Sequence, residues 1–335
     1  MLVERKRLFL IFFVILEVLA GVFSLYIFRR YVLNKQRDLE GKKIVKIDKS
    51  NVVENIDEEL KFYWEYHPND EVKDEAEWIE EAVYYSINND GFNDVHDYQV
   101  EKPANTFRII VLGDSFTFGN YVNTQFNWTE VLEKRLNESE QCGYERVEVI
   151  NLAMPGFDVQ YLVRRFRDKG LRYDPDLVIY FESGTGFTRF NEIIAPKSKS
   201  CQESNPELND YIDCLHKIEY DFILEYTFDL RLEMLLVFFE ELFRYVDQDN
   251  MLFFYYDTYF NTYTHLEKDK EEQAKAIESL ENQFPMGQYL PIIPYQQVDS
   301  DYKFSDGHPN KKGHEQIAEY IYNYFIQDQS LCKLQ

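Results

Sequence analysis

The chain carries none of the signatures that tie a protein to a metal ion or a nucleotide. Its 335 residues contain no Walker A motif, no dinucleotide-binding glycine fingerprint, no zinc-ligand spacing and no EF-hand loop. No cofactor is therefore implied. The G-x-S-x-G elbow that presents the nucleophile of α/β-hydrolases is missing too. Positive charge is in short supply: 36 Lys and Arg stand against 60 Asp and Glu, a formal net charge of −24. That balance argues against unaided binding to nucleic acid or to an anionic lipid surface. The acidity is densest from Asp70 to Glu81 and reads as a solvated face rather than a metal site. Cysteine is scarce, with four in all. Cys201 and Cys214 flank a short polar loop and can close a local disulfide, worth ~3 kcal/mol for a loop of that size. Cys142 and Cys332 are a second possible pair, since sequence does not fix connectivity.

What the chain does have is apolar material. It is 45% hydrophobic and 17% aromatic, ample for a core in one large domain or two small ones. The run from Leu8 to Phe28, interrupted only by Glu17, Gly21 and Ser24, is long enough to cross a bilayer. It predicts a transmembrane anchor over residues 1–30, followed by a polar stalk over 31–56. A signal peptide cleaved near Val18-Leu19-Ala20 is the competing reading, and the continuation of the run beyond that point favours the anchor. Basic residues flank the run on both sides (Arg5, Lys6, Arg7; Arg29, Arg30, Lys35, Arg37), so charge alone does not orient it. The sequons at Asn127 and Asn137 are compatible with an extracellular surface and decide nothing.

Residues 57–106 read as an N-terminal extension packed on the main domain. One or two helical pieces are expected from Asp57 to Val83, where Leu60, Phe62, Tyr63, Trp64, Trp78 and Ile79 punctuate a Glu-rich stretch. Short strands and loops are expected from Tyr84 to Thr106. Strands and helices then alternate. The strands are predicted at Arg108–Leu112, Val147–Asn151, Leu177–Phe181, Met251–Tyr256 and Leu290–Ile293. The helices fall at 125–137, at 158–170 (ended by Gly170), at 265–282 and from Glu315 to Ile326. That order indicates βαβ units and a parallel sheet covered on both faces. The main domain, 107–328, carries an insertion over 183–250 with an apolar helical stretch from Phe222 to Val246.

The stretch FRIIVLGDSFTFG, Phe107 to Gly119, organises the rest. A buried strand ends abruptly in Gly-Asp-Ser, leaving Ser115 at the carboxyl end, where open α/β sheets bind their ligands. Far downstream, Ser305-Asp306-Gly307-His308-Pro309-Asn310 supplies a base and a carboxylate on one loop. Serine needs such a base to become a nucleophile, and a carboxylate commonly orients the imidazole. Trp128-Thr129-Glu130 and the Tyr/Phe clusters can be read as a sugar platform or as core. His314 is expected inside the last helix, packing or facing solvent.

Gly-Asp-Ser-Phe after the first strand, Asn-Leu-Ala-Met-Pro-Gly after the second, and the late D-x-H-P-N-x-x-G-H together resemble the SGNH (GDSL-type) hydrolase superfamily. The similarity covers roughly residues 84–326. Tyr85-Ser-Ile-Asn-Asn-Asp-Gly-Phe looks like the lead-in of its membrane-anchored, extracytoplasmic branch. The resemblance implies a flavodoxin-like three-layer α/β/α sandwich with Ser115 as nucleophile, His308 as general base and Asp306 orienting it. It implies oxyanion donors at the N–H groups of Ser115 and Gly156. The family's third donor, an Asn after strand three, is replaced here by Thr185, whose hydroxyl donates one bond with shorter reach; Asn191 lies several residues late. The implied function is hydrolysis of O-acyl esters, plausibly on an extracellular glycan. Acyl transfer to a glycan, or a degenerate fold that binds without turnover, are the alternatives.

Overall fold

The computed structural model describes residues 52–54, 60–76, 79–139, 143–183, 190–204, 214, 217–218, 221–222, 224–256, 266–285, 287–292, 301–304 and 306–327. The expected anchor, most of the stalk, Cys142, Cys332 and Thr185 lie outside them. Among the described residues no helix is long and apolar enough to cross a membrane. The chain divides into two compact units, Met1–Ile44 with Ser200–Lys217, and Val45–Lys199 with Ile218–Gln335. In the first, Cys201 and Cys214 are joined by a disulfide with their Cα atoms 5.8 Å apart.

The second unit is built on a parallel sheet. Its strands are β5 (Thr106–Gly113), β6 (Arg146–Asn151), β7 (Leu177–Glu182), β8 (Met251–Tyr256) and β9 (Gln288–Ile292). They lie in the order β6-β5-β7-β8-β9. Every residue of β5 and β7 is buried, as expected of strands covered on both faces. Alternation sends Phe107, Ile109 and Val111 to one face, where they meet Trp128, Leu132 and Leu136 of α2 (Trp128–Ser139) and Ile317, Ile321 and Phe325 of α7 (Lys311–Gln327). On the opposite face Tyr180 stacks on Phe253, ring centroids 5.1 Å apart, and both meet Phe239 of α5 (Phe228–Leu242). With β6 on one side of β5 and β7 on the other, the strand order reverses at β5, and the crevice at its carboxyl end is the topological switch point.

Burial also takes in charge. Arg108 on β5 is fully buried, with Nε 2.7 Å from Glu148 Oε2 on β6 and Nη1 donating to the Tyr173 carbonyl at 2.6 Å. Arg231, also buried, reaches from α5 to Glu272 on α6 (Leu266–Gln283) at 2.8 Å.

The N-terminal extension departs from expectation. In place of helical pieces between Asp57 and Val83 the chain forms short antiparallel pairs. β1 (Val52–Glu54) runs against β2 (Trp64–Tyr66), and β3 (Glu71–Asp74) against β4 (Val83–Ser86). The reason lies in the side-chain period. Val83 and Tyr85 are buried while Tyr84 and Ser86 are exposed, the two-residue alternation of a strand. The glutamates suit a helix, but no face repeats at helical spacing. The aromatic residues dock on the main domain: Tyr66 stacks on Phe118 at 5.4 Å and Tyr63 meets Phe157 at 5.1 Å. Glu65 receives Arg165 at 2.7 Å and pairs with Lys169, which together hold its carboxyl below the ordinary range against the opposing push of burial. The acidic stretch is not wholly a solvated face either, because Asp74 accepts the Tyr85 hydroxyl at 2.6 Å.

One further expectation is corrected, and two open readings are resolved. The helix after β6 does not end at Gly170: α3 (Val159–Arg165) continues through wider and tighter turns to Tyr173, and Asp174, at φ 49°, stops it. A Cβ at Gly170 would lie 2.6 Å from the Phe166 ring, so glycine serves close packing there. Trp128 is fully buried against Phe181, which removes it from any sugar platform. Asn127 is buried with its amide donating to the carbonyls of Thr117 and Phe118, so that sequon is structural.

A buried carboxyl cluster sits beneath α2. The Tyr98 hydroxyl lies 3.0 Å from Asp94 and 2.9 Å from Glu133, the Val149 N–H donates to Glu133 at 2.7 Å, and the Val95 N–H donates to Glu130 at 3.0 Å. His96 Nε2 is 3.4 Å from Glu133. Among the described residues no such group has the arrangement of a metal site. Burial pushes the Glu130 carboxyl up to about 7 and raises Asp94 and Glu133 as well. A carboxyl raised on folding stabilises the protein fully below its unfolded value, 4.5 for Glu130, and that contribution is lost as pH rises through about 7. Glu130→Gln keeps an acceptor for Val95 and removes the titration. Its melting temperature relative to wild type should therefore rise between pH 5 and pH 8. A difference that stays constant across that range would refute the assignment.

Candidate active site

The site grows from the end of β5. A Cβ on Gly113 would fall 2.2 Å from Thr117 Oγ1 and 3.2 Å from the Phe181 carbonyl, so only glycine lets the strand turn here. Asp114 caps the single helical turn α1 (Ser115–Phe118), its Oδ1 accepting the Phe116 N–H at 3.0 Å. The other oxygen of Asp114 bonds to the Ser183 hydroxyl at the end of β7. Gly119, at φ 90°, closes the turn. These bonds aim Ser115 out of the carboxyl end of the sheet.

The second half of the site is a tight loop at the head of α7. Phe304 N–H donates to the His308 carbonyl at 2.8 Å and Gly307 N–H to the Phe304 carbonyl at 3.0 Å, with Gly307 at φ 99°. Asn310 then caps α7 by accepting the N–H groups of Lys312 and Gly313. His308 Nε2 lies 2.8 Å from Ser115 Oγ, and Nδ1 lies 2.9 Å from Asp306 Oδ2. Asp306 Oδ1 also accepts the backbone N–H of His308 at 3.1 Å, so one carboxylate holds both the loop and the ring. A carboxylate at Nδ1 requires the proton on that nitrogen and leaves Nε2 free to accept the Ser115 hydroxyl. Phe116 lies tilted against the imidazole at 5.0 Å.

Gly156 stands exposed at φ 74° with no atom within 4 Å of where a Cβ would be. Among the described residues neither its N–H nor that of Ser115 has an acceptor. Two donors are thus open at the same end of the sheet. The Gly156 carbonyl is held by Asn191 at 2.8 Å, at the start of α4 (Asn191–Ser204). Asn191 N–H in turn donates to Asp158 Oδ2 at 2.5 Å, and Asp158 also caps α3 through the Tyr161 N–H. Asn191 therefore fixes the Gly156 turn. That role was not legible in the sequence, where Asn191 stands out only as an asparagine beyond the expected place.

His314 is set apart from this chemistry. It is fully buried, and its Nδ1 accepts the N–H of Trp128 at 3.2 Å, closing the first turn of α2. Burial, with the nearby His308, lowers its pKa to about 3, so it stays neutral.

Residues 109–321 match the model of the GDSL-like lipases and acylhydrolases. The chain belongs to that family. Among solved structures, this GDSL-family chain is similar to the psychrotrophic esterase EstA from Pseudoalteromonas sp. The two share 15% identity over 67% of this chain and 97% of that one, with a TM-score of 0.41. It is also similar to a lipase/acylhydrolase from Enterococcus faecalis, at 17% identity over 66% and 96% of the two chains, with a TM-score of 0.44. No curated protein matches it.

Proposed function

We propose that this GDSL-family protein is a serine esterase that removes O-acyl groups, acetyl above all, from an extracellular glycan. One observation carries the reading: the 2.8 Å and 2.9 Å contacts that run from Ser115 through His308 to Asp306. In the reaction Ser115 Oγ attacks the acyl carbon while His308 Nε2 takes its proton. The charge that develops on the carbonyl oxygen meets the N–H groups of Ser115 and Gly156. His308 then protonates the leaving sugar oxygen. Asp306 stabilises the imidazolium that exists between these steps. Water, activated by the same histidine, cleaves the acyl-enzyme and restores the serine.

A fluorophosphonate should label Ser115 in the folded protein, and p-nitrophenyl acetate should turn over. An unlabelled serine in a protein without turnover would leave a binding fold. Acyl groups passing to an added glycan faster than to water would make the protein an acyltransferase, which shares the first half-reaction.

The apolar run Leu8 to Phe28 supports a single-pass anchor, and the resemblance of residues 85–92 to the lead-in of the membrane-anchored branch supports an extracytoplasmic side for this domain. The intact chain should then resist extraction from membranes by alkaline carbonate. Its release would remove the anchor from the proposal.

A further inference from the structure

Four described residues other than glycine hold a left-handed backbone. Asn69, Asn105 and Asp174 are of the kinds that tolerate it; the fourth is Tyr121, at φ 67°. A bulky residue persists there only where its surroundings hold it, and such positions cluster at functional sites. The restraint on Tyr121 comes from the N-terminal extension. Its N–H donates to the Tyr85 hydroxyl at 2.9 Å, and that hydroxyl donates onward to Asp74 Oδ2 at 2.6 Å. Both partners belong to the β3–β4 pair. The same strand fastens the next residues as well, since Tyr84 N–H reaches Asn123 and Ser86 N–H reaches Thr124, each at 2.8 Å.

The side chain faces the other way, onto the Asp306–His308 loop. Its ring stands edge-on to the His308 imidazole, centroids 5.2 Å apart at 88°, and edge-on to Phe304 at 5.9 Å. With Phe116 against the imidazole as well, the ring is confined by aromatics from two directions.

Resting on the esterase reading above, we propose that Tyr121 is a positioning residue for the Asp306–His308 pair, held in place by Tyr85. The N-terminal strands thereby form a working part of the site. The ring sets the plane of the imidazole, and the Tyr85 hydroxyl, through the Tyr121 N–H, sets where that ring stands.

The test compares wild type, Tyr121→Asn and Tyr85→Phe in the full chain. The first removes the ring that faces His308 while asparagine keeps the left-handed backbone, and the second removes only the hydroxyl that holds the Tyr121 N–H. Turnover is counted per serine labelled by fluorophosphonate, and the low-field Nδ1–H proton resonance of His308 is recorded alongside, assigned by its loss in His308→Ala. Tyr121→Asn should lower kcat on the order of tenfold with KM little changed, since a misplaced catalytic group costs rate rather than affinity. The His308 resonance should shift or broaden. Tyr85→Phe should reproduce the fall in kcat, because it frees Tyr121 from its restraint. Wild-type kcat per labelled site with an unmoved His308 resonance in both variants would overturn the proposal. So would a loss confined to the number of labelled sites, which marks misfolding. If wild type neither labels nor turns over, the esterase reading fails on its own, and the resonance decides: an unchanged His308 signal in Tyr121→Asn overturns the positioning role.

Discussion

Ser115→Ala is expected to lower kcat/KM for p-nitrophenyl acetate by about 10⁴-fold or more, with the fold intact. The size follows from what is removed. His308 Nε2 has the Ser115 Oγ at 2.8 Å as its partner, and without that oxygen no acyl-enzyme forms. The open N–H groups of Ser115 and Gly156 remain, so residual activity comes only from water attack on a polarised ester. The change is mild for the structure, because Asp114 caps the helical turn through the Phe116 N–H, and alanine keeps every backbone bond of α1. Unchanged thermal unfolding should accompany the loss of turnover and of fluorophosphonate labelling. A variant that keeps a tenth of wild-type activity would mean that another group is the nucleophile, and the assigned roles of His308 and Asp306 would go with it.

Arg108→Met should have the largest effect on stability, about 3–5 kcal/mol in a urea titration. Glu148, 1% exposed, would then be buried beside an uncharged thioether. Arg146, its other partner, reaches Oε1 only from the half-exposed rim at 3.3 Å. The carbonyls of Gln99 and Tyr173 would also lose their donor, at 2.9 Å and 2.6 Å in the wild type. Replacing both charges, Arg108→Met with Glu148→Leu, should recover much of the loss, because the penalty lies in the orphaned carboxylate rather than in the absent pair. A single variant within ~0.5 kcal/mol of wild type would show that water reaches Glu148, against its burial.

The parallel sheet was legible because its strands are continuous apolar runs, and their ends were placed within two residues at every strand start and end. Ser115 and the Asp306–His308 pair were legible for a related reason. Gly-Asp-Ser and Asp-x-His each pack two parts of the chemistry into a few residues, where spacing alone limits the geometry. The extension was not. Its alternation runs for only three or four residues per strand, too short to outweigh the helix-forming glutamates, and what stabilises it is docking on Phe118, Phe157 and Arg165, far away in the chain. The roles of Asn191 and Tyr121 were not legible for the same reason: each acts through a partner at least 35 residues distant.

By itself, then, the sequence determined those features that local pattern carries: the βα alternation, the strand that ends at Ser115, and the loop that holds Asp306 and His308. Tertiary structure alone decided which groups converge on them. Ser115 and His308 stand 193 residues apart in the chain and meet because β5 and the head of α7 share one end of a sheet. The Gly156 turn takes its anchor from α4, and Tyr121 takes its restraint from a strand pair the composition disguised. Propensity and periodicity act over a turn or two, whereas hydrogen bonds and ring contacts are made wherever packing brings their partners together.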